Sequence, residues 1–311
     1  MRGIELSERF FNEYGKKMLE EFTEIFPRAA AGIAGEGSEC LGFDDEISKG
    51  HDFDAGFCIW LTKEDEEKHG FALSRAYSKL PKEFMGVKRQ ILSPVGGERR
   101  GVTTIGDFYK KFLGTETAPQ SAEHWLSIPS YSLLAASNGK VFMDNLGKFS
   151  EIRTVLKKGY PEDVRRKKLA ANLALMAQSG QYNYERLIMR KETGAAQLAA
   201  YEFVKHAISA IYLINNAYEP FYKWAFKGIR DLKTLSGLET PLCELIETGN
   251  SKKESEKKLE GIEKICAAII AELKRTGLSA ANGEGLEIHA FSVTDGIKDP
   301  NVRNLHLLFG E

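Results

Sequence analysis

The sequence has no C-x-x-C pair, no long apolar run and almost no net charge, and each lack removes a class of protein. Cys40, Cys58, Cys243 and Cys266 are scattered, most beside apolar residues, so they read as reduced thiols and not as a metal knuckle or disulfide framework. No stretch approaches the roughly 18 apolar residues of a membrane span, and the nearest, Ala207 to Ile214, is far too short. The opening segment MRGIELSERFFNEYGKKMLEEF mixes acids and bases where a secretory signal needs a continuous apolar core. These absences predict a cytoplasmic protein with no membrane partner. The 43 Lys and Arg nearly cancel the 44 Asp and Glu, leaving a formal charge of -1 that disfavours long nucleic acids and leaves small charged ligands open.

What is present is an ordinary globular composition, 42% hydrophobic and 28% charged, on a chain of 311 residues, long enough for two compact units. Phe10, Phe11, Tyr14, Met18, Leu19 and Phe22 recur at helical spacing, which predicts a helix from about Ser7 to Phe26, ended by Pro27. Ala29 to Ala34 and Phe53 to Leu61 read as strands, and Val102 to Ile105 as a third. Thr62 ahead of Glu64, Asp65 and Glu66 has the chemistry of a helix N-terminus. From Ile128 to Leu273 helical patterns dominate, broken near Gly139, Gly159, Gly180, Pro220 and Gly237. The run SKKESEKK opens a helix whose other face carries Leu259, Ile262, Ile265 and Ile269, so it is a solvated face and not a basic binding tract. The expected architecture is α+β: a domain with a small mixed sheet over 1–125, a helical bundle over 126–276, and a tail over 277–311 that packs back on the body, with the site in the cleft between the domains.

The glycine-rich segment GIAGEGSEC invites two phosphate-binding readings, and neither fits. It lacks the Lys-Ser or Lys-Thr of a Walker loop, and as a dinucleotide fingerprint it lacks the third glycine and is expected to run into a polar loop, not a helix. A third reading fits better. An apolar strand ends in Gly37-Ser38, thirteen residues follow, and Asp52-Phe53-Asp54-Ala55 begins the next strand. Alternate side chains of a strand share a face, so Asp52 and Asp54 are expected to point together while Phe53 and Ala55 enter the core. Paired carboxylates suit magnesium, a hard cation that keeps several waters and binds jointly with substrate phosphates. Gly37 lets the backbone approach those phosphates, and Ser38 offers donors. The plain alternative is that these acids only cap turns, as the neighbouring Asp44, Asp45 and Glu46 are more expected to do.

With GEGSE followed by HDFDAGF, the chain resembles the polymerase-β-type nucleotidyltransferase superfamily. Within it, the chain is most similar to an uncharacterised bacterial family, domain of unknown function 4037. That closer likeness rests on GSECLGFDDEIS, WLSIPSYSLLAASNGKVFMDNLGKF, GYPEDVRRKKLA, GQYNYERLIMR, NNAYEPFYKW and SVTDGIKDPNVRNLH, spread over most of the chain. The resemblance implies transfer of a nucleoside monophosphate from a nucleoside triphosphate to an acceptor hydroxyl, small molecules favoured over protein or RNA. It implies magnesium, or manganese in its place, on Asp52 and Asp54, with the triphosphate gripped by Gly37 and Ser38. Ser48 and His51 flank the metal loop, and the bundle residues Arg190 and Lys223 are candidates for the phosphates or the acceptor. Two positions depart from the pattern: Glu36 stands where an apolar residue is usual, and the strand GVTTI carries no third carboxylate, only flanking Glu98 and Asp107. The rival expectations are a catalytically degenerate nucleotide-binding or regulatory module and a partner-binding protein of the toxin and antitoxin kind.

Overall fold

The computed structural model describes residues 1–48, 53–89 and 99–311, and the chain folds as two compact units. The first comprises Met1–Pro119 with Ile128–Lys158, the second Gln120–Ser127 with Gly159–Glu311. The strands among the described residues, all in the first unit, are β1 (Ala30–Ile33), β2 (Cys58–Leu61), β3 (Glu83–Phe84), β4 (Val87–Lys88), β5 (Gly101–Thr104) and β6 (Lys140–Asp144). Four of them form one mixed sheet in the order β5-β2-β1-β6, while β3 and β4 make a separate hairpin. β1 runs antiparallel to β2 and β6, and β2 runs parallel to β5. The architecture is therefore α+β with a small mixed sheet and a helical second unit.

One face of the sheet carries an aromatic core. The amphipathic first helix spans Gly3–Phe10, passes through a π turn at Phe11–Gly15 and continues over Lys16–Glu20, burying Leu6, Phe10, Phe11, Met18 and Leu19. These pack with Phe57, Ile59, Leu61, Leu73 and Tyr77. Each fully buried side chain of this size contributes about 1.5–3 kcal/mol. Gly15 is required by the packing, because a Cβ there would lie 2.3 Å from Cζ of Phe57. The helix begins earlier than the periodicity predicts and stops before Phe22 and Phe26. Those residues and Ile25 still pack on the core, but from turns closed by bonds such as Ile25 N–H to the Phe22 carbonyl. Apolar spacing marks which residues are buried, and it does not oblige the backbone to stay helical.

The opposite face is also covered. Trp60 stacks on Phe149 with ring centroids 3.9 Å apart, Phe108 meets Trp60 edge-on at 5.4 Å, and the Tyr109 hydroxyl donates to the Phe149 carbonyl at 2.8 Å. A strand buried on both faces needs no polar alternation, which accounts for the unbroken apolar run of β2. Lys63–Lys79 forms the expected helix, with the Thr62 side chain accepting from the Asp65 N–H. Within the mostly helical stretch 128–273, the break at Gly139, at φ +69°, leads into a strand that the sequence reading did not place: β6 pairs with β1 through Lys140, Val141, Met143 and Asp144. β6 lies beyond residue 125 yet completes the sheet of the first unit.

In the second unit the helix Glu162–Met176 packs against Thr193–Ile214 and Leu286–Asp295. Two buried lysines of the first of these helices anchor the chain's end. Lys167 Nζ donates to the carbonyls of Arg303 (3.3 Å) and Leu305 (2.6 Å), and Lys168 Nζ to those of Leu126 (3.0 Å) and Gly310 (2.8 Å). Carbonyl dipoles compensate an ammonium only partly, and burial pushes Lys168 down to about 8. An unfolded lysine keeps its proton to about pH 10.4. Between those values the unfolded chain binds a proton that the native chain has released, so native stability rises with pH across that window. We expect wild type to gain on Lys168→Met by up to about 1.4 kcal/mol per pH unit from about pH 8 to pH 10. Paired denaturant titrations test this, and a difference that does not vary with pH would refute it. Among the described residues no helix is long and apolar enough to cross a membrane.

Candidate functional site

The strand directions gather the candidate residues of the first unit. Because β1 and β2 are antiparallel, with Gly32 opposite Cys58, the chain leaving β1 toward Gly37-Ser38 and the chain entering β2 from Asp54 meet at one end of the sheet. β5 is parallel to β2, with Gly101 opposite Cys58, so Arg99 and Arg100 arrive at that same end.

Gly37 adopts φ +119°, and a Cβ there would lie 2.4 Å from a carboxylate oxygen of Glu39, so only glycine fits. Ser38 opens a one-turn helix, Ser38–Leu41, which corrects the expectation that no helix follows the glycine loop. The loop is pinned by Asn138: its Oδ1 accepts from the Gly35 N–H at 2.9 Å and its Nδ2 donates to the Gly35 carbonyl at 2.8 Å. Asp54 is not on a strand, since β2 begins at Cys58 and not at the expected Phe53. Its Oδ1 accepts the Gly56 N–H at 2.7 Å; Asp54 is itself buried, at 9% exposure, and so are Phe53 and Ala55, which join the aromatic core.

Asp52, His51 and Glu98 lie outside the described residues. Ser48 and Asp45 cap each other, with Ser48 N–H and Oγ both 3.0 Å from Asp45 Oδ1. Asp44 receives the Gly3 N–H at 2.8 Å, at the start of the first helix. Asp107 lies in the first turn of the helix Ile105–Leu113, which Thr104 caps: the Asp107 carboxylate accepts from the Thr104 hydroxyl at 2.7 Å, and the Asp107 N–H donates to the Thr104 Oγ1 at 2.8 Å. Arg190 and Lys223 belong to the second unit. Arg190 is exposed at the end of the helix Glu185–Met189, and Lys223 is exposed with its ammonium 5.6 Å from the Trp224 ring centre.

Several groups at this end of the sheet escaped the sequence reading. Arg100 Nη2 donates to Glu39 Oε1 at 2.6 Å in an ion pair whose side chains are only 7% and 5% exposed. It ties the helix after Gly37-Ser38 to the entry of β5. The signal was the acid next to Gly-Ser and the Arg-Arg pair before a strand, but no local spacing joins residues 61 apart. Burial works against the Arg100 charge. The neighbouring Cys40 and Cys58 sulfurs when ionised, and the Glu39 and Asp54 carboxylates, outweigh burial and raise its proton affinity. Burial pushes the Cys40 thiol up to about 12 and also raises Cys58, so neither is a thiolate at neutral pH and thiol catalysis is disfavoured.

Beside this pair, bounded by residues 34–36 after β1, by β2, by β5 and by the helix Ile105–Leu113, is a cavity of about 190 Å³. Two of its lining residues carry fully buried N–H groups with no hydrogen-bond partner among the described residues, Trp60 Nε1 and Arg100 Nε. An unmade hydrogen bond of this kind costs about 1–3 kcal/mol.

The donor chemistry at this end of the sheet, carboxylate and hydroxyl oxygens, is of the kind magnesium takes. Among the described residues, however, no group of three or more His, Cys, Asp or Glu is arranged to hold a metal; of the two expected ligands, Asp54 is described and Asp52 is not.

Residues 125–225 match the family described as Domain of unknown function (DUF4037). The matched segment is about a third of the chain; it contains β6, Arg190 and Lys223 and excludes Gly37, Ser38 and Asp54. No curated protein and no solved structure matches the chain.

Proposed function

We propose that the chain is a magnesium-dependent nucleotidyltransferase that moves a nucleoside monophosphate from a nucleoside triphosphate to a hydroxyl, a small molecule being the favoured acceptor. The observation that carries this reading is the meeting of the Gly37-Ser38 turn and Asp54 at one end of the sheet, produced by the antiparallel pairing of β1 and β2. The resemblance of the surrounding residues to the polymerase-β type supplies the chemistry. In this reading the positive-φ backbone at Gly37 and the start of the Ser38 helix approach the triphosphate, and Asp54 with Asp52 provides the hard oxygen ligands. A bound magnesium would neutralise phosphate charge. The acceptor oxygen bonds to the α-phosphorus, the bond from that phosphorus to the bridging oxygen breaks, pyrophosphate leaves, and the hydroxyl proton passes to solvent or a base.

A second reading, nucleotide binding without turnover, has one specific observation in its favour. β5 carries no acid, and the flanking Asp107 carboxylate is taken up by the hydroxyl of its helix-capping Thr104. Incubating the protein with each α-labelled nucleoside triphosphate, magnesium and a panel of hydroxyl compounds separates the two. Label transfer with pyrophosphate release is expected of the enzyme; metal-dependent binding with neither product selects the second reading.

A further inference from the structure

We infer that Asn138, Gly139 and Arg153 are positioning residues that set the glycine loop in its ligand-binding shape before any ligand arrives. The loop is poorly equipped to keep that shape alone. Gly35 at φ +106° and Gly37 at φ +119° occupy backbone regions that glycine enters freely and leaves as freely. The hold comes from a turn far away in the chain. The planar amide of Asn138 accepts from the Gly35 N–H at 2.9 Å and donates to the Gly35 carbonyl at 2.8 Å. The adjacent Gly139 donates its own N–H to the Cys40 carbonyl at 3.0 Å. Two consecutive residues thus grip the chain on either side of Gly37-Ser38, at Gly35 and at Cys40. Gly139 has no substitute there, because it adopts φ +69° and a Cβ would overlap the Ile33 carbonyl.

The gripping turn is itself braced. Arg153, on the helix Lys148–Leu156, donates from Nη2 to the Gly139 carbonyl at 2.8 Å and from Nη1 to the Ser137 carbonyl, so one guanidinium holds the residues on both sides of Asn138. Arg153 is buried, and burial lowers its proton affinity, because backbone carbonyls replace the lost hydration only in part. A neutral side chain could close a turn without that cost. What the guanidinium adds is two donors in one rigid plane, which fix both peptides flanking Asn138 together. Asn138, Gly139 and Arg153 all lie in the first unit and within the matched segment 125–225, whereas the loop they hold lies outside the match. The matched segment therefore supplies the clamp on the glycine loop. On the transferase reading, on which only the ligand step rests, a loop already held in shape presents its backbone donors to the triphosphate without further ordering. Ordering the backbone of one residue weakens a binding constant about tenfold, so releasing one or two residues should weaken binding about ten- to a hundredfold.

The test uses the full-length chain and two readouts, amide hydrogen exchange of a peptide spanning residues 34–41 and calorimetric titration of nucleoside triphosphates with magnesium. Asn138→Leu keeps the size of the side chain and removes both bonds, Asn138→Asp keeps the acceptor and loses the donor, and Arg153→Met removes the brace without touching the loop. Each should speed exchange of the loop peptide about tenfold or more relative to a peptide spanning β2, and each should weaken triphosphate binding about ten- to a hundredfold. Thermal melts of the Asn138 variants should stay close to wild type; if Asn138→Leu does not fold, Asn138→Asp carries the same comparison. The Arg153→Met result separates positioning from local packing, since that side chain reaches the loop only through Ser137 and Gly139. Loop exchange at the wild-type rate in Asn138→Asp and Arg153→Met overturns the inference. So does faster exchange with triphosphate affinity unchanged, which makes the clamp a matter of folding alone. A wild-type chain that binds no triphosphate, with variants that still loosen the loop, removes the transferase reading and leaves the clamp standing.

Discussion

Asp54→Asn, alone or with Asp52→Asn, is expected to reduce magnesium-dependent nucleoside triphosphate binding by about a hundredfold or more while leaving the melting transition in place. The substitution keeps the hydrogen bond to Gly56, since an asparagine Oδ1 can still accept the Gly56 N–H now 2.7 Å from Asp54 Oδ1. What it removes is negative charge, the property a hard cation requires. Even residues behind metal ligands commonly contribute ten- to a hundredfold to affinity, so a ligand itself should contribute at least the upper figure. Calorimetric titration of a triphosphate with and without magnesium gives the answer. Wild-type metal dependence in the double variant would remove the proposed centre, and a collapsed melt would reassign Asp54 to folding.

Breaking the Glu39–Arg100 pair should have the largest effect on stability. Arg100→Met leaves a carboxylate 5% exposed with its cation gone, and Glu39→Gln leaves a guanidinium 7% exposed in the same position. A buried charge stripped of its partner typically destabilises by roughly 3–5 kcal/mol, most of it the unrecovered desolvation of the survivor. The combined variant strands neither charge, so it should recover a substantial part of the loss, and unfolding titrations of all four proteins form a double-mutant cycle. Additive losses in the double variant would mean that each side chain acts independently and that the pair does not hold the loop against β5. Arg100→Lys, which retains a cation, should lie close to wild type in the same titrations.

Much of the framework follows from local chemistry that a reader of the sequence can see. The burial of Phe10, Phe11, Met18 and Leu19 follows from their helical spacing, and Thr62 begins its helix because its hydroxyl accepts from the Asp65 N–H. β1 and β5 lie where short apolar and β-branched runs predicted them. The misreadings have physical causes. Asn138-Gly139 followed by Lys140–Asp144 carries a turn and strand signal, but a five-residue strand set among helices is outweighed by its surroundings. The start of β2 was placed early because Phe53 to Leu61 is uniformly strand-prone, whereas pairing depends on where a neighbouring strand lies alongside, and β1 meets only Cys58 to Trp60.

For the site the division is sharper. The residue types at Gly37, Ser38 and Asp54 could be picked out by spacing alone, because a positive-φ turn and an acid before a strand are local demands on the chain. The partnership of Glu39 with Arg100, the clasp of Asn138 on the glycine loop, and the cavity with two unpaired donors could not. Each joins segments far apart in the chain, and no propensity or periodicity encodes which of the many acids, arginines and aromatics will meet. Sequence by itself determined which segments bury their apolar faces and which turns demand glycine; only the tertiary structure decided which polar groups lose water together, because desolvation depends on every segment that closes over them.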